Sequence, residues 1–314
     1  MLLYLVTRLL RSGLGLLLIL FVAYAMMFYG AGDPIKRMFL DKDDLPPDAV
    51  AMQALREKYG LDEPFLVQFG NYLGNLAHGN LGVSIREQRT VSDMVRASLP
   101  ISLQIGITAT ILATLLGIPL GIFAARHHNT AADYAIVAGV TAFNAVPVFV
   151  LGPILILVFV SFLGIMKVPY GWDGLLSSKA ILPVVVLMMA PLPVVVRQTR
   201  AAILEVRNED YIRTARAKGL SERDVAFRHM LRPVLLPVIT SVGLVAITLV
   251  NGAIFVELIF GIPGFGGLTI EGLKTVDYPV IMATVLIGAL VVMISNLLVD
   301  VAYPLLDARV TKGV

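Results

Sequence analysis

The sequence predicts an all-α membrane protein that crosses the bilayer six times. Of the 314 residues, 57% are apolar and the mean hydropathy is +0.83, whereas soluble domains are about 45–50% apolar. Several apolar stretches also reach the ~20 residues that a helix needs to cross the hydrocarbon core. Lipid offers backbone groups no hydrogen-bond partners, so these stretches must be helical.

Six spans account for these stretches, the first of them within residues 1–29, which also hold the N-terminus. Its apolar core exceeds the roughly 7–15 residues of a signal peptide, so we interpret it as a retained anchor. The remaining five form a core domain over residues 99–314. The second of the five is too long for one straight span, so either Pro147 and Pro153 kink it or its end emerges from the membrane. These five lie near residues 99–124, 133–163, 180–199, 233–258 and 279–305.

The distribution of Lys and Arg predicts the orientation. With six spans, four basic groups fall on one face: Arg8 with Arg11, Arg126, residues 197–232, and Arg309 with Lys312. Basic connections mark the cytoplasmic side, so both termini of this multi-pass protein are predicted to be cytoplasmic. The net charge of +3 is too small to indicate a nucleic-acid partner, and the absence of Cys excludes disulfides and thiolate metal sites.

Residues 30–98 form a long connection between the first two spans, whereas the other connections are short. The segment has ten acidic and eight basic residues and is predicted to be extracytoplasmic. Its 50–59 stretch has helical spacing of apolar residues. Five further residues have the character of packing residues and predict a small subdomain: Phe65, Phe69, Tyr72, Leu73 and Leu76. A loosely ordered loop is the alternative.

Residues 197–232 carry nine Lys or Arg against five Asp or Glu in a chain that is 15% charged. A helix extending beyond the fourth span is predicted to bury one face, formed by Leu204, Asn208, Tyr211, Ile212 and Ala215. Gly219 is expected to end it in the left-handed conformation, and Ser221 with Asp224 to cap a second helix. That helix carries the stripe Phe227, Met230, Leu231 and Val234.

This helical hairpin has two interpretations. Basic amphipathic segments bind anionic lipid surfaces. The alternative is a docking site for a soluble partner. The five acidic residues of the block, which would repel anionic headgroups, favour docking.

Polar and glycine-rich positions in or near the spans are candidates for a substrate pathway or gate. Asn144 and Asn251 are such candidates, although hydrogen bonding between helices is the commoner use of Asn. Glu257 lies at the outer end of the fifth span, and Asp300 is interpreted as structural. The stretch GIPGFGG (261–267) is predicted to be non-helical and to gate the outer mouth through Gly261, Pro263 and Gly264. Gly117 and Gly121 predict close helix packing.

Four motifs resemble those of ABC-importer permeases of the dipeptide/oligopeptide family, B-type subunit. YIRTARAKGL (211–220) resembles the cytoplasmic "EAA" loop of that family, LREKYGLDEP (55–64) and HGNLGVSI (78–85) its outside segment, and VELIFGIPGFGGL (256–268) its loop after the fifth span. Arg213, Thr214 and Ala215 occupy the Glu-Ala-Ala positions. The chain therefore departs from the general motif at the first two positions, and it has Asn80 where the family commonly has Asp.

The resemblance implies a type I ABC importer permease fold with an extended extracytoplasmic segment between helices 1 and 2. It also implies a location in the bacterial cytoplasmic (inner) membrane. It implies a translocation pathway shared with a second permease, two ATPase subunits, an extracytoplasmic substrate-binding protein and surrounding membrane lipid. The cargo would be di- or oligopeptides or related small solutes. The ATPase-coupling residues within the loop 200–232 would be Tyr211, Arg213, Thr214, Ala215, Arg216, Ala217, Lys218, Gly219 and Ser221.

The chain is predicted to be non-catalytic. It has no GxxxxGK[ST] sequence, so ATP and Mg are expected in partner subunits and no cofactor in this chain. An intramembrane zinc protease would need HExxH, and the four His residues lack that spacing. A secondary transporter often has an internal repeat and charged sites near the midplane, neither of which the sequence shows.

Overall fold

The computed structural model describes residues 2–40, 49–230, 234, 238, 241 and 253–306, and their secondary structure is helical except for one isolated bridge between Val83 and Thr90. Three helices are long and apolar enough to cross a membrane: residues 10–30, 91–126 and 278–297. Three pairs of shorter, bent helices pass the same test if each pair counts as one span. Length and composition are therefore compatible with the six predicted spans.

The helices of the first third are α1 (Leu2–Gly30), α2 (Pro34–Leu40), α3 (Ala49–Lys58) and α4 (Phe65–Ala77). Next come α5 (Val91–Arg126), α6 (Ala131–Ala145), α7 (Val148–Ile156), a π-helical turn (Leu157–Phe162) and a 3₁₀ turn (Ser178–Ala180). The rest are α8 (Ile181–Met188), α9 (Leu192–Val206), α10 (Asp210–Ala217), α11 (Glu222–Asp224, continuing as a π-helix over Val225–Met230), α12 (Ala253–Phe260), α13 (Phe265–Thr275) and α14 (Tyr278–Leu306).

The chain divides into two compact units. The first contains Met1–Ser102 and Pro263–Met293, and the second contains Leu103–Ile262 and Ile294–Val314. The boundaries of these two units are set by which residues pack together. The predicted segments 1–29, 30–98 and 99–314 were instead defined by where each part of the chain lies relative to the membrane. Those segments therefore stay a prediction.

The core of the first unit is built from α1, α4 and the start of α14. Leu20, Met27, Phe69, Met282 and Leu286 are buried together. Edge-on aromatic contacts join α1 to α4, with ring centroids 5.4 Å apart for Phe21–Phe69 and 5.5 Å for Tyr24–Phe69. All five residues predicted to pack in the 65–76 stretch contribute to this cluster, so the described part of residues 30–98 is a packed helical segment rather than a loose loop.

Two hydrogen-bonded junctions stabilise the first unit. Asp33 caps α2 by accepting from the Ile35 N–H at 3.0 Å, and it also binds the Arg56 guanidinium of α3. Asp277 is 3% exposed and accepts from the Ser84 hydroxyl at 2.6 Å and from the backbone N–H of Arg86 at 3.2 Å. The HGNLGVSI segment is thereby held at the start of α14.

In the second unit, α5 and α9 pack in direct contact along their glycines. A Cβ atom at Gly117 would lie 2.7 Å from Cγ1 of Val195, and one at Gly121 would lie 2.6 Å from Cβ of Thr199. Real Cβ atoms do not approach other atoms this closely, so both positions need glycine. The predicted role of this glycine pair in close helix packing is confirmed.

Proline shapes the bent pairs of this unit. α6 and the helix that follows it meet at 101°, with Pro147 as the N-cap of α7. The predicted kink at Pro147 is confirmed, since the residue before a proline is driven out of the helical conformation. Pro153 lies inside α7, which ends in the π-helical turn. α8 and α9 meet at 50° near Pro191.

A buried ion pair joins α6 to α9 in the second unit. Asp133, which is 1% exposed, accepts from Nε and Nη2 of Arg200, both at 2.7 Å. Nδ1 of His128 lies 3.4 Å from the same carboxylate and 2.9 Å from Nη2 of Arg200. Arg200 belongs to the basic block of residues 197–232, and its pairing with Asp133 was not predicted from the sequence.

Candidate functional site

The hairpin between α9 and α11 is shaped by two backbone breaks. α9 ends at Val206, residues 207–209 form a turn, and α10 starts at Asp210 with Glu209 as its N-cap in the extended conformation. The prediction of one continuous helix through Ala215 is therefore wrong. Asn and Asp favour helix ends because their side chains compete for backbone hydrogen bonds, and acidic residues favour the first turn, so Asn208 and Asp210 suit this break.

Gly219 ends α10 as the sequence predicts. Its φ is +77°, and its N–H donates to the Arg216 carbonyl at 2.9 Å while the Leu220 N–H donates to the Ala215 carbonyl at 3.4 Å. This pair of bonds is the Schellman motif, in which the left-handed residue satisfies the carbonyls at a helix end. Glycine adopts that conformation without steric cost.

Ser221 starts the second helix of the hairpin. Its hydroxyl oxygen accepts from the Asp224 N–H at 3.1 Å, and the hydroxyl donates to the Asp224 carboxylate at 2.6 Å. The predicted cap is present, and it satisfies one of the N–H groups that every helix start leaves without a partner.

The inner face of the hairpin is apolar. Ile212 and Val225 are fully buried and Ala215 is 5% exposed, and they share one cluster with Ile122 of α5 and Ile203 of α9. The hairpin is thus seated on the ends of α5 and α9 by side-chain packing.

The inner face of the hairpin differs from the prediction. Of the five residues predicted to form the buried face of the first helix, Ile212 and Ala215 are buried, Leu204 is half-buried, and Asn208 and Tyr211 are exposed. The break at 207–209 causes this difference, because residues on either side of it no longer share one helix face. Of the second stripe, Met230 and Val234 are buried, whereas Leu231 and the Phe227 side chain lie outside what the structure describes. Val225 was missed.

The outer face of the hairpin displays most of the predicted coupling residues. Arg213 is 71% exposed and Tyr211 is 45% exposed. Ala215 points into the core, and Arg216 is half-buried. The others are exposed: Thr214, Ala217, Lys218, Gly219 and Ser221.

Charge pairing fixes the two arms of the hairpin to each other. Nε of Arg216 lies 2.8 Å from Oε1 of Glu222, and Nη2 lies 3.3 Å from Oε2. This hydrogen-bonded guanidinium lowers the pKa of Glu222 below its usual value. Burial, with the nearby Glu209, raises the pKa of Tyr211.

The predicted outer gate residues lie in two different elements. In the second unit, Glu257 of α12 is 1% exposed, and its carbonyl accepts from the Ile262 N–H at 2.9 Å. Gly261 ends α12 with φ +62°. The Tyr170 ring lies against it, so close that an added Cβ would be 2.3 Å from Cζ.

In the first unit, Pro263 is exposed and Gly264 is buried as the N-cap of α13. The Phe265 N–H donates to the Ser102 hydroxyl at 2.7 Å. Residues 265–267 are helical, so the prediction that all of GIPGFGG is non-helical is wrong. The Ser102 hydroxyl thereby satisfies one of the N–H groups that every helix start leaves without a partner in its own helix.

Of the two asparagine candidates, the structure describes one. Asn144 is exposed in the last turn of α6, just before the bend at Pro147. Asn251 lies outside the residues that the structure describes, as does the Asp300 side chain.

Two family models match this chain. Residues 1–106 match the N-terminal model of the binding-protein-dependent transport system membrane components, and residues 117–312 match the binding-protein-dependent transport system inner membrane component. The chain belongs to this family. The predicted family is confirmed, and it makes the chain a non-catalytic, multi-pass membrane subunit whose ATPase is a separate chain.

Curated relatives match this permease over at least 98% of its length. It is 36% identical to the oligopeptide transport system permease protein OppB of Salmonella typhimurium, over 99% of both chains. Identity is 38% to AppB of Bacillus subtilis, also named an oligopeptide permease, and 36% to the dipeptide permease DppB of Lactococcus lactis, each over 98% of both chains.

Solved structures support the fold. Two inward-facing crystal forms of the MetNI methionine ABC transporter match with TM-scores of 0.57 and 0.53, both at 18% identity. They cover 68% and 66% of this permease and 96% and 95% of the matched chains. The type I ABC importer permease fold predicted from the sequence is confirmed.

Proposed function

We propose that this permease is one of two membrane subunits of an ATP-driven importer of di- or oligopeptides or related small solutes. The cargo class is supported by full-length similarity to permeases named for oligopeptide and dipeptide transport. The second permease is a homologous chain that completes the translocation pathway.

The observation that carries the mechanism is the two-faced hairpin. Its inner face packs on α5 and α9, while its outer face leaves Tyr211, Arg213 and Lys218 accessible. An ATPase subunit docks on this outer face, and two such subunits hold ATP and Mg. Their closure on ATP moves the hairpin, and the packed core passes that movement to α5 and α9.

Close packing makes this transmission effective. Gly117 and Gly121 leave no gap between α5 and α9, and packed interiors resist compression. The two helices therefore move as a pair when the hairpin is displaced, and the pathway alternates between inward and outward access.

The two membrane faces of the importer carry different elements of the permease. The hairpin and both termini are cytoplasmic, six spans cross the membrane, and residues 30–98 are an extracytoplasmic segment. An extracytoplasmic binding protein delivers the cargo on that side. Glu257, Gly261, Pro263 and Gly264 contribute to the outer gate, and Asn144 and Asn251 to the pathway.

Copurification tests the coupling role. A tagged permease is solubilised from the membranes of its source cells, and the ATPase subunits that accompany it are quantified. For Arg213→Glu we expect about a 10-fold loss of copurified ATPase, because reversing a charge at an interface costs more than 1 kcal/mol. The matched control is Arg228→Glu, which changes another exposed arginine of the hairpin outside the proposed docking residues.

Equal ATPase recovery from the Arg213 variant and the control would refute docking at this face. The cargo is tested separately, by isolating the binding protein that stimulates ATPase activity and identifying its bound ligand by mass spectrometry. A ligand that is neither a peptide nor a related small solute would refute the proposed cargo class while leaving the coupling role intact.

A further inference from the structure

A cavity of about 360 Å³ lies in the second unit, between the hairpin and the ends of α5 and α9. Its size falls in the range of small-molecule sites, about 300–1,000 Å³. None of the residues that line it belongs to the outer face of the hairpin proposed above for docking, apart from the half-buried Arg216.

The charged lining of this cavity is unbalanced. Arg126, Arg207 and Arg216 face it together with one carboxylate, Glu222. Arg216 is the partner of Glu222. Arg126 and Arg207 have no ion pair with any residue that the structure describes, although both also act on Glu222 through their charge. Three positive groups against one negative group leave an excess of two positive charges.

The rest of the described lining is apolar and buried. Ile122, Ala125, Ile203 and Met230 are each at most 8% exposed, whereas Arg126 and Arg207 are exposed. The cavity therefore has an apolar inner wall and a cationic outer part. This arrangement suits an amphiphilic anion, and guanidinium groups bind phosphate oxygens with two parallel hydrogen bonds.

We propose that this cavity binds a phosphate-bearing anion, held by the guanidinium groups of Arg126 and Arg207. The apolar wall favours a phosphate that carries an apolar group, so an anionic phospholipid, whose acyl chains can contact this wall, is favoured over free phosphate. Arg126 is the last residue of α5 and Arg207 follows the end of α9, so the bound anion ties together the two helix ends on which the hairpin is seated.

Direct binding tests this proposal with the full-length permease and the subunits that copurify with it. Phosphatidylglycerol, phosphatidylcholine of the same chain length and inorganic phosphate are titrated separately, and bound lipid is counted by native mass spectrometry while phosphate binding is followed by calorimetry. An arginine near an anionic headgroup contributes about 1 kcal/mol, which is roughly 5-fold in affinity. Arg126→Gln with Arg207→Gln should then weaken phosphatidylglycerol binding roughly 25-fold.

Two further variants control for folding and for general surface charge. Arg126→Lys with Arg207→Lys keeps both charges and should retain most of the binding. Arg228→Gln removes one exposed arginine that does not line the cavity, and it should bind phosphatidylglycerol like the unmodified chain. Thermal unfolding without ligand shows whether each variant is folded.

The three probes identify the source of the anion. Binding of phosphatidylglycerol alone indicates a lipid headgroup, and binding of inorganic phosphate that competes with it indicates free phosphate. Binding of neither, or equal binding of phosphatidylglycerol to the unmodified chain and the folded Gln double variant, overturns the inference. Because the readout is ligand binding, that failure is distinct from a loss of ATPase copurification.

Discussion

Single glycines determine how closely the helices of the second unit approach. At Gly121 an added Cβ would lie 2.6 Å from Cβ of Thr199 and 2.8 Å from the backbone oxygen of Val196. The backbone oxygen cannot rotate away as a side chain can, so α9 itself would have to move.

We therefore expect Gly121→Ala to destabilise the permease by about 1–3 kcal/mol, the usual cost of overpacking. Gly139→Ala is the matched control, because Gly139 lies in α6 with nothing within 4 Å of its added Cβ. There the change should be neutral or slightly stabilising, since alanine is the better helix former. Thermal unfolding in detergent compares the two, and equal midpoints would contradict the packing argument.

At the scale of elements, several local features of the backbone were predicted from the sequence, whereas contacts between residues far apart in the chain were not. The conformation of Gly219, the cap at Ser221 and the bend at Pro147 depend on residues within one helical turn, so the sequence predicts them. The break at 207–209 was missed because the apolar spacing continued through it. Its signal was the run Asn208–Asp210, which favours a new helix start over a helix interior.

The pairing of Asp133 with Arg200 could not be predicted, because the two residues are 67 positions apart. Hydropathy placed Asp133 at the edge of a predicted span, and the charge pattern placed Arg200 in the basic block of residues 197–232. Neither pattern indicates which residue each side chain would contact. The same holds for the Tyr170 ring on Gly261. Candidate coupling residues were therefore easier to find than the contacts that support them.

Removal of the arginine from this pair should be costly. Arg200→Gln leaves the Asp133 carboxylate, 1% exposed, without its main partner, and breaking a buried pair in this way costs about 3 kcal/mol. Arg197→Gln changes an exposed arginine on the same helix and should cost less than about 0.5 kcal/mol. Thermal unfolding of both variants measures the difference, and similar midpoints would show that the ion pair contributes little.

At the scale of the whole molecule, each unit has its own apolar core. Phe69 belongs to the core of the first unit, with Leu20 and Met282, and Ile203 to the core of the second, with Ile212 and Val225. Cores that share no residue can lose stability separately, in cooperative blocks.

Hydrogen exchange of the membrane-embedded permease tests this independence. Phe69→Ala should cost about 3–5 kcal/mol, seen as faster amide exchange in α1 and α4 with little change in α9 and α10. Ile203→Ala should give the opposite pattern, at about 2–5 kcal/mol. Uniform acceleration across both units from either variant would show that the molecule unfolds as one block.

The contact between Tyr170 and Gly261 restricts which sequences this fold accepts. An alanine at position 261 must overcome both the positive φ and the Tyr170 ring, so replacing Tyr170 with a smaller residue relieves one obstacle and leaves the other. A substitution at position 261 therefore meets both obstacles while Tyr170 is present, and the positive φ alone once residue 170 is smaller. The effect of a substitution at position 261, at the end of α12, thus depends on which residue occupies position 170.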